Sequence, residues 1–156
     1  MTNSNSIARE DVRVKTPCIG VCSTGIGGNI CRGCKRFGHE VVQWNGYSEA
    51  EKSAVMKRLS SLLAQVVRER VDIFDVNLLA DTLSKQKIRY HAQADPYAWV
   101  FDLLAAGASQ IDDLTPFGCR MKESNPHANL RQLRDDIDHD FFVLSSAHYD
   151  KYFNRV

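Results

Sequence analysis

The segment CIGVCSTGIGGNICRGC, residues 18–34, decides how the first part of the chain folds, because it carries four of the five cysteines. The cysteines follow the spacing Cys18-x₃-Cys22-x₈-Cys31-x₂-Cys34. Two close pairs joined by a short glycine-rich loop can fold back on each other, so that each pair supplies two thiolate ligands. The spacing therefore predicts one four-cysteine metal centre, which holds either Zn²⁺ or an iron–sulfur cluster.

Disulfide bonds or free thiols are the alternative interpretation of the same cysteines. Residues 1–17 contain no apolar stretch of the kind found in secretion signals, and no long apolar run that could cross a membrane occurs in the sequence. We therefore expect a soluble, cytoplasmic protein. Disulfides are rare in a reducing cytosol, where clustered cysteines more often bind metal. Cys119 is far from the cluster in sequence, and we expect it to be a buried, inert thiol.

The net charge of +1 hides an uneven distribution along the chain. Residues 1–70 contain eleven Lys or Arg against six Asp or Glu, whereas residues 71–156 contain nine against thirteen. The halves are expected to attract each other, or the basic half to face an acidic partner. Arg32, Lys35 and Arg36 surround the second cysteine pair, where they are expected to offset the negative charge of a four-thiolate centre. Contact with nucleic acid is the alternative role for these three residues.

A long helix is predicted directly after the cysteine module. Ser48 followed by Glu51 is a capping box, and it opens a helix expected over residues 49–70. A shorter helical segment around Trp44, whose ring is expected to lie against the metal loops, precedes it. The apolar face of the long helix is expected to be core and comprises Val55, Met56, Leu59, Leu62, Leu63, Val66 and Val67.

Residues 71–156 are predicted to form a compact helical domain of unknown role that packs on the long helix. One helix is expected over residues 77–86, followed by a short strand or a bend at residues 88–91. Asp95-Pro96 combines an N-cap with a proline at the first helical position, and it predicts a helix that ends at Gly107. The expected core residues of that helix are Trp99, Val100, Leu103 and Leu104.

The last part of the chain is predicted to contain two helices. Ser124-Asn125-Pro126 can begin one that runs toward Ile137, and the run Phe141-Phe142-Val143-Leu144 is expected to end it. Ser145 or Ser146 then caps a final helix that ends near Phe153. The fold class is thus mainly α, with a small four-cysteine metal-knuckle module, a long helix and a compact helical C-terminal part.

Several carboxylates and imidazoles cluster in this last part: Asp135, Asp136, Asp138, His139, Asp140, His148 and Asp150. Such side chains bind Mg²⁺, Mn²⁺ or iron, yet this spacing matches no known template, and we expect a solvated surface. The sequence contains no nucleophile with a base, no phosphate-binding glycine loop and no dinucleotide motif. It therefore favours a protein that is not an enzyme, although residues 71–156 leave room for one.

One resemblance to a known family is carried by four stretches of the first part of the chain. They are Pro17-Cys18-Ile19-Gly20-Val21-Cys22, Cys31-Arg32-Gly33-Cys34-Lys35-Arg36, Glu40-Val41 with Trp44, and Ser48-Glu49-x-Glu51-Lys52. In that order they resemble the bacterial family called domain of unknown function 1289, over about residues 16–60. Members are described as predicted small iron–sulfur proteins without an assigned activity. The resemblance implies that the four cysteines, Cys18, Cys22, Cys31 and Cys34, are the metal ligands.

His39 departs from the pattern of that family. It lies five residues after Cys34, where it can replace a cysteine as ligand or hydrogen-bond to a ligand, but we expect a surface histidine on a short helix. The cysteine spacing matches neither the C-x₂-C-x₂-C run of bacterial ferredoxins nor the C-x₄-C-x₂-C of plant-type ferredoxins, so zinc stays open beside the iron–sulfur cluster.

Three functions agree with these observations. The first is a metal-binding accessory or protein-interaction factor, in which the four-cysteine centre replaces the core that so small a module lacks. The second is an iron–sulfur protein that transfers electrons or senses oxidants, and the third is a zinc-stabilised nucleic-acid-binding module. We expect the chain to divide into a flexible tail at residues 1–15, the module with its long helix at residues 16–70, and the helical domain at residues 71–156.

Overall fold

The computed structural model describes residues 14, 16–18, 29–122 and 129–153, and over these residues the protein is mainly helical, as predicted. The predicted N-terminal tail, apart from residue 14, and the start of a helix at Ser124-Asn125-Pro126 lie outside the described residues. The helices are α1 (Gly38–Gln43), α2 (Glu49–Arg68), α3 (Val76–Lys85), α4 (Pro96–Gly107) and α5 (Leu130–Phe153), and the strands are β1 (Val71–Ile73) and β2 (Cys119–Met121).

Helix α2 begins at the predicted capping box. The backbone N–H of Glu51 donates to the Ser48 hydroxyl, and the backbone N–H of Ser48 donates to the Glu51 carboxylate, each at 3.1 Å. The helix ends at Arg68, two residues before the predicted end, because strand β1 starts at Val71. Its apolar face is buried as predicted, through Val55, Leu59, Leu62, Val66 and Val67, with Met56 and Leu63 partly buried.

Helices α3 and α4 also begin at side-chain caps. Asp75 accepts the backbone N–H of Leu78 at 3.0 Å, and Asp95 accepts that of Tyr97 at 2.9 Å. The four residues of α4 that were expected in the core are all buried. Residues 88–91 form an irregular segment between two turns, and neither the predicted strand nor a bend occurs there. The indole N–H of Trp99 in α4 donates to the carbonyl of His91 at 2.8 Å. This segment is therefore held by a side chain and not by a neighbouring strand.

A small antiparallel sheet joins two distant parts of the chain, and the sequence did not predict it. Val71 pairs with Met121, and Ile73 pairs with Cys119. Just before β2, Gly118 has a φ of 77°, and a Cβ atom there would lie 2.3 Å from the carbonyl oxygen of Asp75. Only glycine fits this backbone conformation and this close approach without strain.

The expected break at residues 141–144 is wrong, because α5 is one continuous helix from Leu130 to Phe153. Leu133, Ile137 and Phe141 are spaced four residues apart on its buried face, and Ser145 continues that face as a fully buried residue within the helix. The four apolar residues of the run at 141–144 therefore lie on different sides of the helix, since Phe141 is buried whereas Val143 is exposed. Ser145 and Ser146 both lie inside α5, so the prediction that one of them caps a final helix is wrong.

The main core lies between the second half of α2 and helices α3, α4 and α5. Ion pairs also connect the basic first half of the chain to the acidic second half, which agrees with the first of the two interpretations of the charge distribution. Arg70 pairs with Asp140 at 2.7 Å and Arg68 with Asp95 at 2.9 Å. Among the described residues, no helix has both the length and the apolar character needed to cross a membrane.

Candidate metal centre

Cys31 and Cys34 lie in a tight hairpin turn, which we call the cysteine hairpin and which spans residues 30–37. Ile30 and Phe37 pair as an antiparallel bridge at its base. Inside it, the backbone N–H of Cys31 donates to the carbonyl of Arg36 at 2.9 Å, and that of Lys35 donates to the carbonyl of Cys31 at 2.8 Å. Lys35 has a φ of 64°, the left-handed conformation that lets the chain reverse directly after Cys34.

The side chains of Cys31 and Cys34 are brought together in the interior. Cys31 is 2% exposed and Cys34 is 9% exposed, and both side chains belong to the same tight turn. Burial raises the pKa of the Cys34 thiol above its ordinary value, while the hydrogen bond and the charge of Arg36 act in the opposite direction. Two neighbouring sulfurs of this kind are half of a four-cysteine ligand set.

Arg36 connects the hairpin sulfurs to the predicted aromatic residue. Its Nε–H donates to the sulfur of Cys34 at 3.2 Å, and its guanidinium lies 4.9 Å from the ring centroid of Trp44. The Trp44 ring packs in turn on Val55 and Leu59 of α2. Trp44 thus contacts the loop of the second cysteine pair through Arg36, which agrees with its expected position against the metal loops.

The other two predicted ligands are less completely described. Cys18 is exposed, and Cys22 lies outside the described residues, as does the glycine-rich loop around Gly25. No group of three or more His, Cys, Asp or Glu residues that could hold a metal ion occurs within residues 14, 16–18, 29–122 and 129–153. Convergence of all four cysteines therefore stays a prediction, and the structure brings together two of them.

His39 and Cys119 have surroundings that explain them without a metal. His39 is exposed, and its ring lies 5.8 Å from that of Phe37 and 5.2 Å from that of Phe153. Cys119 is fully buried in strand β2, within the main core, and burial raises its pKa to about 12. A thiol with so high a pKa is protonated and unreactive at neutral pH, as expected for a structural cysteine.

Helix α5 holds the cysteine hairpin from one side. The Lys35 ammonium is buried, where it pairs with Asp138 and also donates to the carbonyl of Gly33 at 3.2 Å. The Arg32 guanidinium lies 4.9 Å from the ring centroid of Phe142, one turn further along α5. Near the end of the helix, Tyr149 and Phe153 contact the ring of Phe37 at centroid distances of 5.3 and 5.5 Å.

The charges around the second cysteine pair are thus mostly engaged within the protein. Lys35 and Arg36 are each 3% exposed, and only Arg32 of the three is exposed. The acidic residues of α5 are engaged too. Asp138 and Asp140 form ion pairs with Lys35 and Arg70, and the side chain of Asp136 accepts a hydrogen bond from Gln132. Their pattern fits a charged surface that also anchors the hairpin.

Helix α2 holds the hairpin from the other side. The guanidinium of Arg58 donates to both carboxylate oxygens of Glu40 at 2.6 Å and lies 3.9 Å from the ring centroid of Phe37. Glu40 also accepts the backbone N–H of Phe37 at 2.8 Å, so one carboxylate caps α1 and binds α2. The pairing of Glu40 with Arg58 was not predicted, because the two residues are 18 positions apart in the sequence and no short-range signal links them.

Comparison with known proteins agrees with the resemblance found in the sequence. No significant match occurs among curated proteins or among solved structures. One family model does match the chain, and the matched segment contains the cysteine hairpin, α1 and most of α2. Residues 16–62 are similar to the family described as "Protein of unknown function (DUF1289)", as the motifs of this segment predicted.

Proposed function

We propose that the protein binds one metal centre, zinc or an iron–sulfur cluster, through Cys18, Cys22, Cys31 and Cys34. The observation that carries the proposal is the cysteine hairpin, in which one tight turn holds two buried thiols and a buried guanidinium donates to one of the sulfurs. Thiolates are the ligands that both zinc and iron–sulfur clusters prefer in sites built from four cysteines.

The donor set fits either centre. The hairpin would supply Cys31 and Cys34, and the segment before it would supply Cys18 and Cys22. A zinc ion would contribute folding energy to the module, whereas an iron–sulfur cluster would also accept and donate electrons. The hydrogen bonds of the hairpin backbone and of Arg36 suit thiolate sulfur in both cases, since they compensate negative charge.

The biological role that these features support best is that of an accessory factor that contacts another protein. Lys35 and Arg36 are buried, so two of the three cations that could have contacted nucleic acid are engaged inside the fold. Beside the hairpin, Val42 on α1 and Tyr152 and Phe153 on α5 are large apolar side chains that are more than half exposed. Exposed apolar groups of this size are more typical of protein contacts than of nucleic-acid contacts.

Elemental analysis of the anaerobically purified protein tests the proposal directly. We expect one zinc ion per chain, or iron together with acid-labile sulfide. A brown protein whose visible absorbance is bleached by dithionite supports electron transfer or oxidant sensing, whereas a colourless zinc protein removes that function. A protein that contains neither metal nor cluster when isolated, and that takes up none when reconstituted, would refute the proposed centre.

Cysteine variants assign the ligands. Cys22→Ser and Cys31→Ser should each lose the metal, because a four-cysteine centre with one ligand missing is open to water and to competing chelators. Cys119→Ser is the matched control, since its thiol is buried in a different part of the protein, and it should retain the full metal content. Loss of metal in Cys119→Ser with retention in Cys31→Ser would show that the ligands are wrongly assigned.

A further inference from the structure

Arg36 is a buried cation without a carboxylate partner in the part of the chain that the structure describes. It is 3% exposed, and none of the ion pairs among the described residues includes it. Its side chain contacts the sulfur of Cys34, 3.2 Å from Nε, and the face of the Trp44 ring, 4.9 Å from the guanidinium carbon. The adjacent cation, Lys35, is equally buried but pairs with Asp138.

Such an arrangement is unfavourable if Cys34 is a neutral thiol. A buried charge has to be compensated by an opposite charge or by strong hydrogen bonds, and a thiol is only a weak acceptor. A thiolate bound to a metal carries negative charge and is a much better acceptor for a guanidinium N–H. Four thiolates around Zn²⁺ leave a net charge of about −2, which a neighbouring cation can offset.

We propose that Arg36 is the charge partner of the metal-bound Cys34 sulfur and a positioning residue for the centre. This inference rests on the proposed function, because it requires that Cys34 binds a metal. The guanidinium also lies over the indole ring of Trp44, and this second contact helps to hold it where Nε–H points at the sulfur. Residues that donate to a ligand in this way tune the affinity and the electronic properties of a metal site.

Removal of the guanidinium should therefore weaken the centre more than removal of a nearby exposed charge. Arg36→Gln takes away the cation and the directed N–H. Arg32→Gln is the matched control. It removes the same charge from the same turn, but at an exposed position where water screens the charge. Arg36→Lys keeps the charge and loses the planar group that stacks on Trp44.

The first measurement is a Co²⁺ titration of the metal-free protein in competition with a chelator, under anaerobic conditions. We expect Arg36→Gln to bind Co²⁺ ~10–100-fold more weakly than the wild type, which is the usual loss when a donor to a metal ligand is removed. Arg32→Gln should stay within about 3-fold of the wild type, as expected for a screened surface charge. Arg36→Lys should recover part of the affinity because it restores the charge.

The second measurement is the sulfur-to-Co²⁺ charge-transfer absorption, which a purely structural role would not move. The band should shift in both Arg36→Gln and Arg36→Lys, because neither retains the N–H that donates to Cys34, and it should stay in place in Arg32→Gln. If the protein as isolated contains an iron–sulfur cluster, the midpoint potential replaces this readout. It should fall in Arg36→Gln, since loss of a cation disfavours the more negative reduced cluster.

The outcomes separate this inference from the proposed function. If the wild type binds metal, but Arg36→Gln matches Arg32→Gln in affinity and in absorption, Arg36 is not the charge partner. The proposal that the protein binds a metal centre would then still stand. If Arg36→Gln does not fold, Arg36→Lys decides: an unshifted band with wild-type affinity would overturn the inference. A wild type that binds neither Co²⁺ nor a native metal would overturn both.

Discussion

The ion pair between Glu40 and Arg58 fixes the end of the cysteine hairpin to α2, and its strength can be measured. The Glu40 side chain is 6% exposed and that of Arg58 is 22% exposed. Glu40→Gln keeps the size of the side chain and an oxygen for the Phe37 N–H, but leaves the Arg58 guanidinium without a negative partner. Removal of one partner from a buried pair typically destabilises a protein by ~3–5 kcal/mol.

Because Arg58 retains some contact with water, we expect the lower part of that range, ~3 kcal/mol, for Glu40→Gln. Arg58→Met should be similarly harmful, since it also removes the cation that lies 3.9 Å from the Phe37 ring centroid. The double variant should lose less than the sum of the two single losses, with a coupling energy of ~1.5–3 kcal/mol. Urea unfolding followed by far-UV circular dichroism gives all four free energies.

Arg68→Gln is the matched control for this cycle. Its pair with Asp95 has the same chemistry, with a separation of 2.9 Å, but both side chains are exposed. The control should change the free energy of unfolding by ~1 kcal/mol or less. A coupling energy between Glu40 and Arg58 within ~0.5 kcal/mol of zero would refute the reasoning, because the two residues would then contribute independently.

Three further substitutions test other contacts by the same assay. Burial raises the pKa of Asp102 from 3.8 to about 6. The ionised carboxylate therefore destabilises the folded protein by at most ~3 kcal/mol, and by ~1 kcal/mol after allowance for its partial exposure. Asp102→Asn should therefore stabilise the protein above pH 6, with a gain that disappears as the pH falls below 3.8; a gain independent of pH would contradict this. Gly118→Ala should lower the free energy of unfolding by ~2 kcal/mol or more, owing to its φ of 77° and the clash with Asp75, whereas Gly107→Ala has open space and should lose nothing. Asp138→Asn leaves the buried ammonium of the hairpin without its carboxylate and should destabilise by ~1–3 kcal/mol, and an unchanged stability would show that the ammonium does not need this partner.

The parts of the fold that sequence analysis predicted are those with local signals. Ser48 with Glu51, and Asp95 with Pro96, mark helix starts because the capping groups lie within three residues of the N–H groups that they satisfy. The buried face of α2 follows from apolar residues at helical spacing, and burial decides which side of a helix faces the core. These features need no knowledge of the rest of the chain.

The parts that were missed depend on contacts between distant residues. Strands β1 and β2 are three residues long, and neither has a pattern that stands out without its partner. The run at residues 141–144 has no helical period of its own, and only the spacing of Leu133, Ile137 and Phe141 along the whole of α5 shows that the helix continues. Because that continuity was missed, the α5 residues that contact the cysteine hairpin were missed as well.

The candidate site also has parts that sequence analysis predicted from local signals and parts that it missed. Cys31 and Cys34 were identified by a two-residue separation, which a tight turn brings together without help from elsewhere. Arg36 was recognised as a cation that offsets charge, but its direct bond to the Cys34 sulfur requires the left-handed conformation of Lys35, which no residue preference predicts. Non-glycine residues adopt this conformation when the surrounding contacts stabilise it, as the pairing of Lys35 with Asp138 does here.

The hairpin is anchored by contacts that do not involve a metal, and they reduce what the proposed metal centre would have to contribute to folding. Glu40 ties its end to α2, Lys35 ties its turn to α5, and Trp44 stacks on Arg36. A module without such anchors uses most of its metal-binding free energy to fold. Here the helices carry part of that ordering, so protein contacts already orient Cys31 and Cys34, the half of the proposed centre that the structure describes. Helix α5, which lies beyond the matched segment, thereby becomes part of the candidate site, and substitution of Asp138 should weaken the proposed metal binding without touching a ligand.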